Sequence, residues 1–398
     1  MANRIAAGSA VFTLTAALSG LAPARVDGVL ATKLQTIADA YIADTAAGEQ
    51  ATAISISVSL PEGGGTVNVT AGAVSNEAGA AAVTPDTLFQ IGSITKSFTS
   101  VTLLQLQSEG VLDLDDTLGE WLPEYPAWKD VTLRRLLNMT SGIPSYDNVD
   151  AMIGDIGRNG LSRHFSPAVL VGFADPAYPG APDPTTGYSY SNTNYILAGM
   201  VIEKATGRGV QEHFEQRLFG PRYGLTNTYY RAGIYPREIT ERMASGYFVA
   251  EGYDGMKALD GADVKGEDMS WGGAAGAGVS RPEEVNNWVR ALFTSADLLD
   301  ADARAELTRV VSMRTGQAVA RLTADDPHGF GLGISGFASP ALGSGWQYEG
   351  ESMGFRTLYI YLPEKDLVVT LALNSGAEGV ADHAGKVALA VIEAAEAQ

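Results

Sequence analysis

Apolar residues recur at helical spacing at Val26, Leu30, Leu34, Ile37 and Tyr41, which predicts an amphipathic first helix. From Ile54 the period shortens to two. Ile54, Ile56, Val58 and Leu60 alternate with serines, Pro61-Glu62-Gly63-Gly64-Gly65 turns the chain, and Val67 and Val69 continue into a second strand. Near the other end, residues 356–362 and 367–374 flank Pro363-Glu364-Lys365-Asp366 and predict another hairpin, followed by a last helix from about 380 to 397. The middle, residues 121–279, reads as helical and rich in loops, with an exposed loop over 250–268 and no internal repeat. The predicted fold class is α/β (α+β): an antiparallel sheet flanked by N- and C-terminal helices, with an inserted, mainly helical region. The sheet domain is assigned to 25–120 and 280–398, the helical domain to 121–279, and a cleft is expected between them.

Composition narrows the function. A chain of 398 residues with 45% apolar content can bury a large core, and a net charge of −19 excludes the basic surface that nucleic acid binding requires. There is no cysteine, and His164, His213, His328 and His383 lack the spacing of metal ligands, so neither metal nor cofactor is expected. Residues 1–24 carry Arg4, a mild apolar stretch around Val11 to Leu18, and Ala22-Pro23-Ala24. They resemble an export signal too short to span a membrane, which points to a periplasmic or secreted enzyme; a cytoplasmic enzyme with an N-terminal extension is the competing reading.

The chemistry concentrates at Ser93-Ile94-Thr95-Lys96, between Phe89-Gln90-Ile91-Gly92 and an apolar run through Leu106. If 93–109 is a helix, Ser93 and Lys96 share one face of its first turn. A serine hydroxyl needs a neighbour to take its proton, and a lysine does so where burial favours the neutral amine. Free N–H groups at the helix start suit a developing oxyanion. Alone, the tetrapeptide equally describes a solvated surface helix. Two further segments supply context. Tyr190-Ser191-Asn192 follows a turn-rich stretch over 178–184 and offers a phenol for proton transfer and an amide for a substrate carbonyl, although Tyr146-Asp147-Asn148 has the same spacing. Trp346 to Gly350 forms a short strand ending in glycine, with Glu351 and then a second strand beyond it.

These three elements, in this order, resemble the serine penicillin-recognising enzymes, a group of class C β-lactamases, D-alanyl-D-alanine carboxypeptidases, D-aminopeptidases and esterases. Leu136-Leu137-Asn138-Met139-Thr140-Ser141-Gly142 and Tyr188-Ser189-Tyr190-Ser191-Asn192 extend the likeness over nearly the whole chain. The resemblance implies Ser93 as acylated nucleophile, Lys96 and Tyr190 as the proton-transfer pair, and the backbone N–H groups of Ser93 and Glu351 as an oxyanion hole. It implies Asn192, Tyr348, Glu349 and Gly350 as groups flanking the substrate, Trp271 as a cleft residue, and Tyr146 as part of the cleft wall.

One departure stands out. Where carboxypeptidases and β-lactamases of this kind carry His-Thr-Gly or Lys-Thr-Gly, this chain has Tyr348-Glu349-Gly350, and the stretch 331–337 has no arginine. A carboxylate in place of a hydroxyl repels a substrate's free carboxylate, whereas an amide, ester or ammonium group fits better. The expected function is therefore a serine hydrolase acting on small peptides or amides, including D-residues, that does not favour a free C-terminal carboxylate. A carboxypeptidase, β-lactamase or esterase, and a non-catalytic binding protein on the same fold, are the alternatives.

Overall fold

A computed structural model describes residues 26–61, 64–160, 162–177, 183–250, 254–376 and 383–397. The expected export signal at 1–24 lies outside these residues, as do 178–182 before the tyrosine motif and the expected start of the last helix at 380–382.

The large sheet takes its strands from the two ends of the chain. β1 (Ala53–Ser59) and β2 (Thr66–Gly72) come first; β6 (Val311–Ser312), β7 (His328–Phe330), β8 (Ser335–Ser339), β9 (Gly343–Ser352), β10 (Phe355–Leu362) and β11 (Leu367–Leu373) follow late. They pair antiparallel in the order β2-β1-β11-β10-β9-β8-β7-β6. A second, three-stranded sheet of β3 (Phe89–Gln90), β5 (Gly278–Ser280) and β4 (Tyr229–Tyr230) was not legible in the hydrophobic pattern, because strands of two or three residues show no period.

Each face of the large sheet has its own cover. Ile54, Ile56, Val58, Leu358, Ile360 and Leu371 pack with Leu30 and Leu34 of the N-terminal helix (Val26–Asp44) and Val391 and Ile392 of the C-terminal helix (His383–Glu396). Tyr348, Phe355, Tyr359 and Tyr361 point the other way, into the core shared with the helical region. The serines alternating along β1 would suggest a solvated face, yet all seven residues of the strand are buried. The helix Pro282–Thr294 lies over them. Asn286 Nδ2 donates to Ser57 Oγ at 2.9 Å and Arg290 Nε to Ser59 Oγ at 2.6 Å, so hydrogen bonds rather than water satisfy the polar face.

Candidate active site

The segment carrying Ser93 and Lys96 is not one continuous α-helix. Gly92–Ile94 forms a single 3₁₀ turn that feeds the α-helix Thr95–Ser108. In 3₁₀ geometry residues three apart eclipse each other, which serves the Ser93/Lys96 pairing better than an α-turn would. Gly92 has φ of +46°, and a Cβ there would stand 2.2 Å from the carbonyl oxygen and 2.6 Å from the nitrogen of Glu351. A Cβ on Gly350 would stand 1.9 Å from the carbonyl oxygen of Ile91. Two glycines thus let the Ser93 turn and β9 touch backbone to backbone, bringing the main chain of Glu351 beside Ser93.

Lys96 is fully buried. Its Nζ lies 2.9 Å from Ser93 Oγ and 2.9 Å from the carbonyl oxygen of Ala275. The glycine-rich run after Trp271 supplies that carbonyl and clamps the same helix elsewhere: Thr99 Oγ1 donates to Ala274 O at 2.7 Å and Gly278 N to Thr95 Oγ1 at 2.9 Å. No carboxylate touches the lysine, and burial pulls its pKa down to about 7, with the charge of Asp147 opposing part of that fall. A neutral amine can give one N–H to Ala275 and turn its lone pair toward the serine hydroxyl.

Tyr190 approaches Ser93 from the other side, its hydroxyl 2.8 Å from Ser93 Oγ and 3.1 Å from the hydroxyl of Tyr348. Burial of the phenol pushes its pKa up, and the hydrogen bonds to Ser93 and Tyr348 only partly offset this. The phenol is therefore protonated at neutral pH and enters a reaction as a proton donor. The Lys96 ammonium position is 5.0 Å from the centre of the Tyr190 ring. Ser93, Lys96, Tyr190 and Tyr348 make one connected chain of polar atoms.

A cavity of about 380 Å³ opens above this chain, bordered by Ser93, Tyr190, Asn192, Trp271, Tyr348, Glu349 and Glu351. Glu349 leaves β9 on the face opposite Tyr348, since successive residues alternate and its cross-strand partner Leu358 packs toward the terminal helices. It borders both this cavity and a neighbouring hollow lined by Lys386. Gly350 faces Ile91 instead of the cavity.

Tyr146 departs from expectation. It is 1% exposed and stands behind the cleft wall, its hydroxyl donating to the carbonyl oxygen of Trp271, so its bulk props Trp271 and its phenol does not face the cavity. Its neighbours matter more than the sequence suggested. Ser145 Oγ donates to Asp147 Oδ1 and accepts from Asn192 N at 2.7 Å, while Asn192 Nδ2 donates to Asp147 Oδ2 at 2.7 Å. Asn192 is thus held by Asp147, which also borders the cavity. Nothing in the sequence showed that the two loops meet; the shared spacing of Tyr146-Asp147-Asn148 and Tyr190-Ser191-Asn192 read only as an ambiguity between two tyrosines.

Among the described residues no lysine, arginine or histidine borders this cavity, no group of acidic and histidine side chains could hold a metal ion, and no helix is long and apolar enough to cross a membrane.

A serine linked to a buried lysine and a phenol, between an antiparallel sheet and a helical region, defines the site of a β-lactamase-fold serine hydrolase. Residues 38–392 match the Beta-lactamase family, and the chain belongs to it. It is 26% identical to penicillin-binding protein 4 of Amycolatopsis lactamdurans over 74% of each chain. It is 29% identical to penicillin-binding protein 4* of Bacillus subtilis over 42% of its own length, but spans only 35% of that relative. Solved structures resemble it nearly end to end. A D-stereospecific amidohydrolase from Streptomyces sp. is 27% identical with a TM-score of 0.71, over 92% of this chain and 98% of that one. The D-amino acid amidase of Ochrobactrum anthropi SV3, complexed with L-phenylalanine amide, is 26% identical with a TM-score of 0.74, over 92% and 99%.

Proposed function

We propose that the protein hydrolyses amide bonds in small peptides and amino-acid amides, D-residues included, through an acyl-enzyme on Ser93. The observation that carries this reading is the convergence of Lys96 Nζ and the Tyr190 hydroxyl on one oxygen, Ser93 Oγ, at 2.9 and 2.8 Å. Neutral Lys96 takes the proton of Ser93 as Oγ attacks the substrate carbonyl carbon. The N–H groups of Ser93 and Glu351 receive the oxyanion. Tyr190 then gives its proton to the leaving nitrogen, the C–N bond breaks, and the acyl group stays on Ser93. In deacylation, water attacks the ester carbonyl and its proton goes to the tyrosinate, while Lys96 returns its proton to Ser93 Oγ. The cycle closes with one water consumed and one acid and one amine released.

Carboxylates on the cleft support the specificity. Asp147, Glu349 and Glu351 border the cavity, so a substrate ending in a free carboxylate there meets like charge. The likeness to an amidohydrolase and an amidase fits the same reading.

The test is a phosphonate probe followed by mapping of the labelled peptide, together with turnover of paired amide and free-acid substrates. Label on Ser93, lost in Ser93→Ala, and faster amide turnover are expected. Label elsewhere, or turnover surviving Ser93→Ala, overturns the reading.

A further inference from the structure

We propose that Asp147 is the anchor for a substrate ammonium group, and that the substrates are amides or peptides with a free amino end and a large apolar side chain. This rests on the reading of Ser93 as nucleophile and adds the part of the substrate that the cleft recognises.

Asp147 sits on the turn Tyr146–Asn148, half-buried, at the edge of the cavity that holds Ser93. Ser145 and Asn192 each donate one hydrogen bond to it, one per oxygen. A carboxylate accepts about four, so each oxygen keeps a lone pair directed elsewhere. Two donors fix its orientation, yet no arginine, lysine or histidine among the described residues pairs with it. Its charge acts on Lys96, which must be neutral to serve as base and so cannot be its standing counterion. A partly desolvated carboxylate held in place without a cation is matched by one that arrives with the substrate. A second group points the same way. Ser352 follows Tyr348 and Gly350 on the inward face of β9, borders the cavity, is 8% exposed, and its hydroxyl has no hydrogen-bond partner among the described residues. It offers an acceptor to an ammonium N–H or a donor to an amide carbonyl.

The remaining wall is apolar. Met152 and Ile156, one turn apart on the helix Asp150–Asn159, face the cavity with Phe248, Met256 and Met353. All but Met353 are no more than 3% exposed, so they form a ready-made surface, and their flexible thioethers adapt to an aromatic or branched side chain. The cavity therefore has a nucleophile at its floor, a carboxylate on one side and an apolar wall on another. An amino-acid amide presents the same three features to match: carbonyl, ammonium and side chain.

The experiment measures protection of Ser93 from phosphonate labelling, and hydrolysis where it occurs, using phenylalanine amide and its N-acetyl derivative in both enantiomers. The wild-type protein should favour the free amine by about tenfold or more. Asp147→Asn should shrink that preference by about tenfold, chiefly through KM, and Asp147→Glu should restore part of it. A purely structural role for Asp147 would weaken both compounds alike and leave their ratio unchanged, and that result overturns the proposal. Equal protection by both compounds in the wild-type protein overturns it too. If Ser93 takes no label in the wild-type protein, the parent reading fails instead. Phe248→Ala should lower protection by phenylalanine amide more than protection by alanine amide, and equal losses would overturn the side-chain assignment.

Discussion

Among the described residues Lys96 and Arg356 are both buried, and they are treated in opposite ways. Arg356, 3% exposed on β10, pairs with the buried carboxylate of Glu49, which also accepts from Tyr41 at 2.7 Å and lies 2.6 Å from His383 Nδ1. Arg356 Nε further donates to the carbonyl oxygen of Ser375, so the buried guanidinium is both charge-paired and hydrogen-bonded. That cluster joins the segment after the first helix, the central sheet and the last helix. Lys96, 0% exposed, has only a hydroxyl and a peptide carbonyl and touches no carboxylate. The first arrangement pairs its cation with an anion and joins three parts of the fold. The second favours discharge of its cation, which costs stability and suits the base role proposed for Lys96. Burial alone does not separate a structural charge from a reactive one; the partner does.

The largest effect should follow from removing the unpaired cation. Lys96→Met is expected to slow acylation by about 10³-fold or more while raising stability by about 1–4 kcal/mol at neutral pH, because an amine that folding discharges is replaced by an apolar chain of similar length. Rapid-quench labelling and denaturant melts check the two halves, and a destabilised variant would show that Lys96 is already compensated. At the other cluster, Glu49→Gln should cost about 3–5 kcal/mol by leaving Arg356 buried without its anion, yet leave kcat per folded molecule within about twofold. A melt unchanged from wild type would collapse the distinction.

pH sharpens the comparison further. The kcat/KM should rise through about pH 7 as Lys96 loses its proton. Stability carries the matching sign. Because the folded pKa lies below the unfolded one, the penalty from Lys96 is full below about pH 7 and fades as pH rises toward 10.5. Above pH 10 the phenols pushed up by burial, Tyr190 and Tyr348 among them, work the other way, since the unfolded chain releases their protons first. A flat kcat/KM between pH 6 and 8, in the range about one unit either side of that value, would mean that Lys96 is not the base. The smallest effect should come from Tyr348→His combined with Glu349→Thr, which removes one carboxylate from the cleft edge and should raise the free-acid over amide ratio of kcat/KM by roughly tenfold. An unchanged ratio would place the charge discrimination on Asp147 and Glu351 alone.

The hydrophobic periods were enough for the outer frame: the helix from Val26, the β1–β2 and β10–β11 hairpins and the last helix all stand where alternation or helical spacing placed them. β6, β7 and β8 were not legible, because segments of two to five residues rich in glycine show no clear period and are strands only through their neighbours. At the site, Ser93, Lys96 and Tyr190 could be named from local spacing and family likeness, and the structure sets them within hydrogen-bonding reach. Tyr146 and Asp147 exchanged weight. The aromatic residue looked like cleft wall and proved to be packing behind Trp271, while the carboxylate beside it faces the cavity.

What the sequence settled by itself was which residues could react: a serine three positions before a lysine, a tyrosine on a later loop, and carboxylates where a hydroxyl and a cation would serve a different substrate. Whether Lys96 can serve as the proposed base depends on the tertiary structure. Its protonation depends on Ala274–Gly278, nearly 180 residues away, closing over it with a carbonyl and no carboxylate, and on Asp147 standing near enough to oppose the shift. Spacing along a chain sets which side chains share a turn, whereas a pKa is set by everything packed around the group, and most of that comes from elsewhere in the fold.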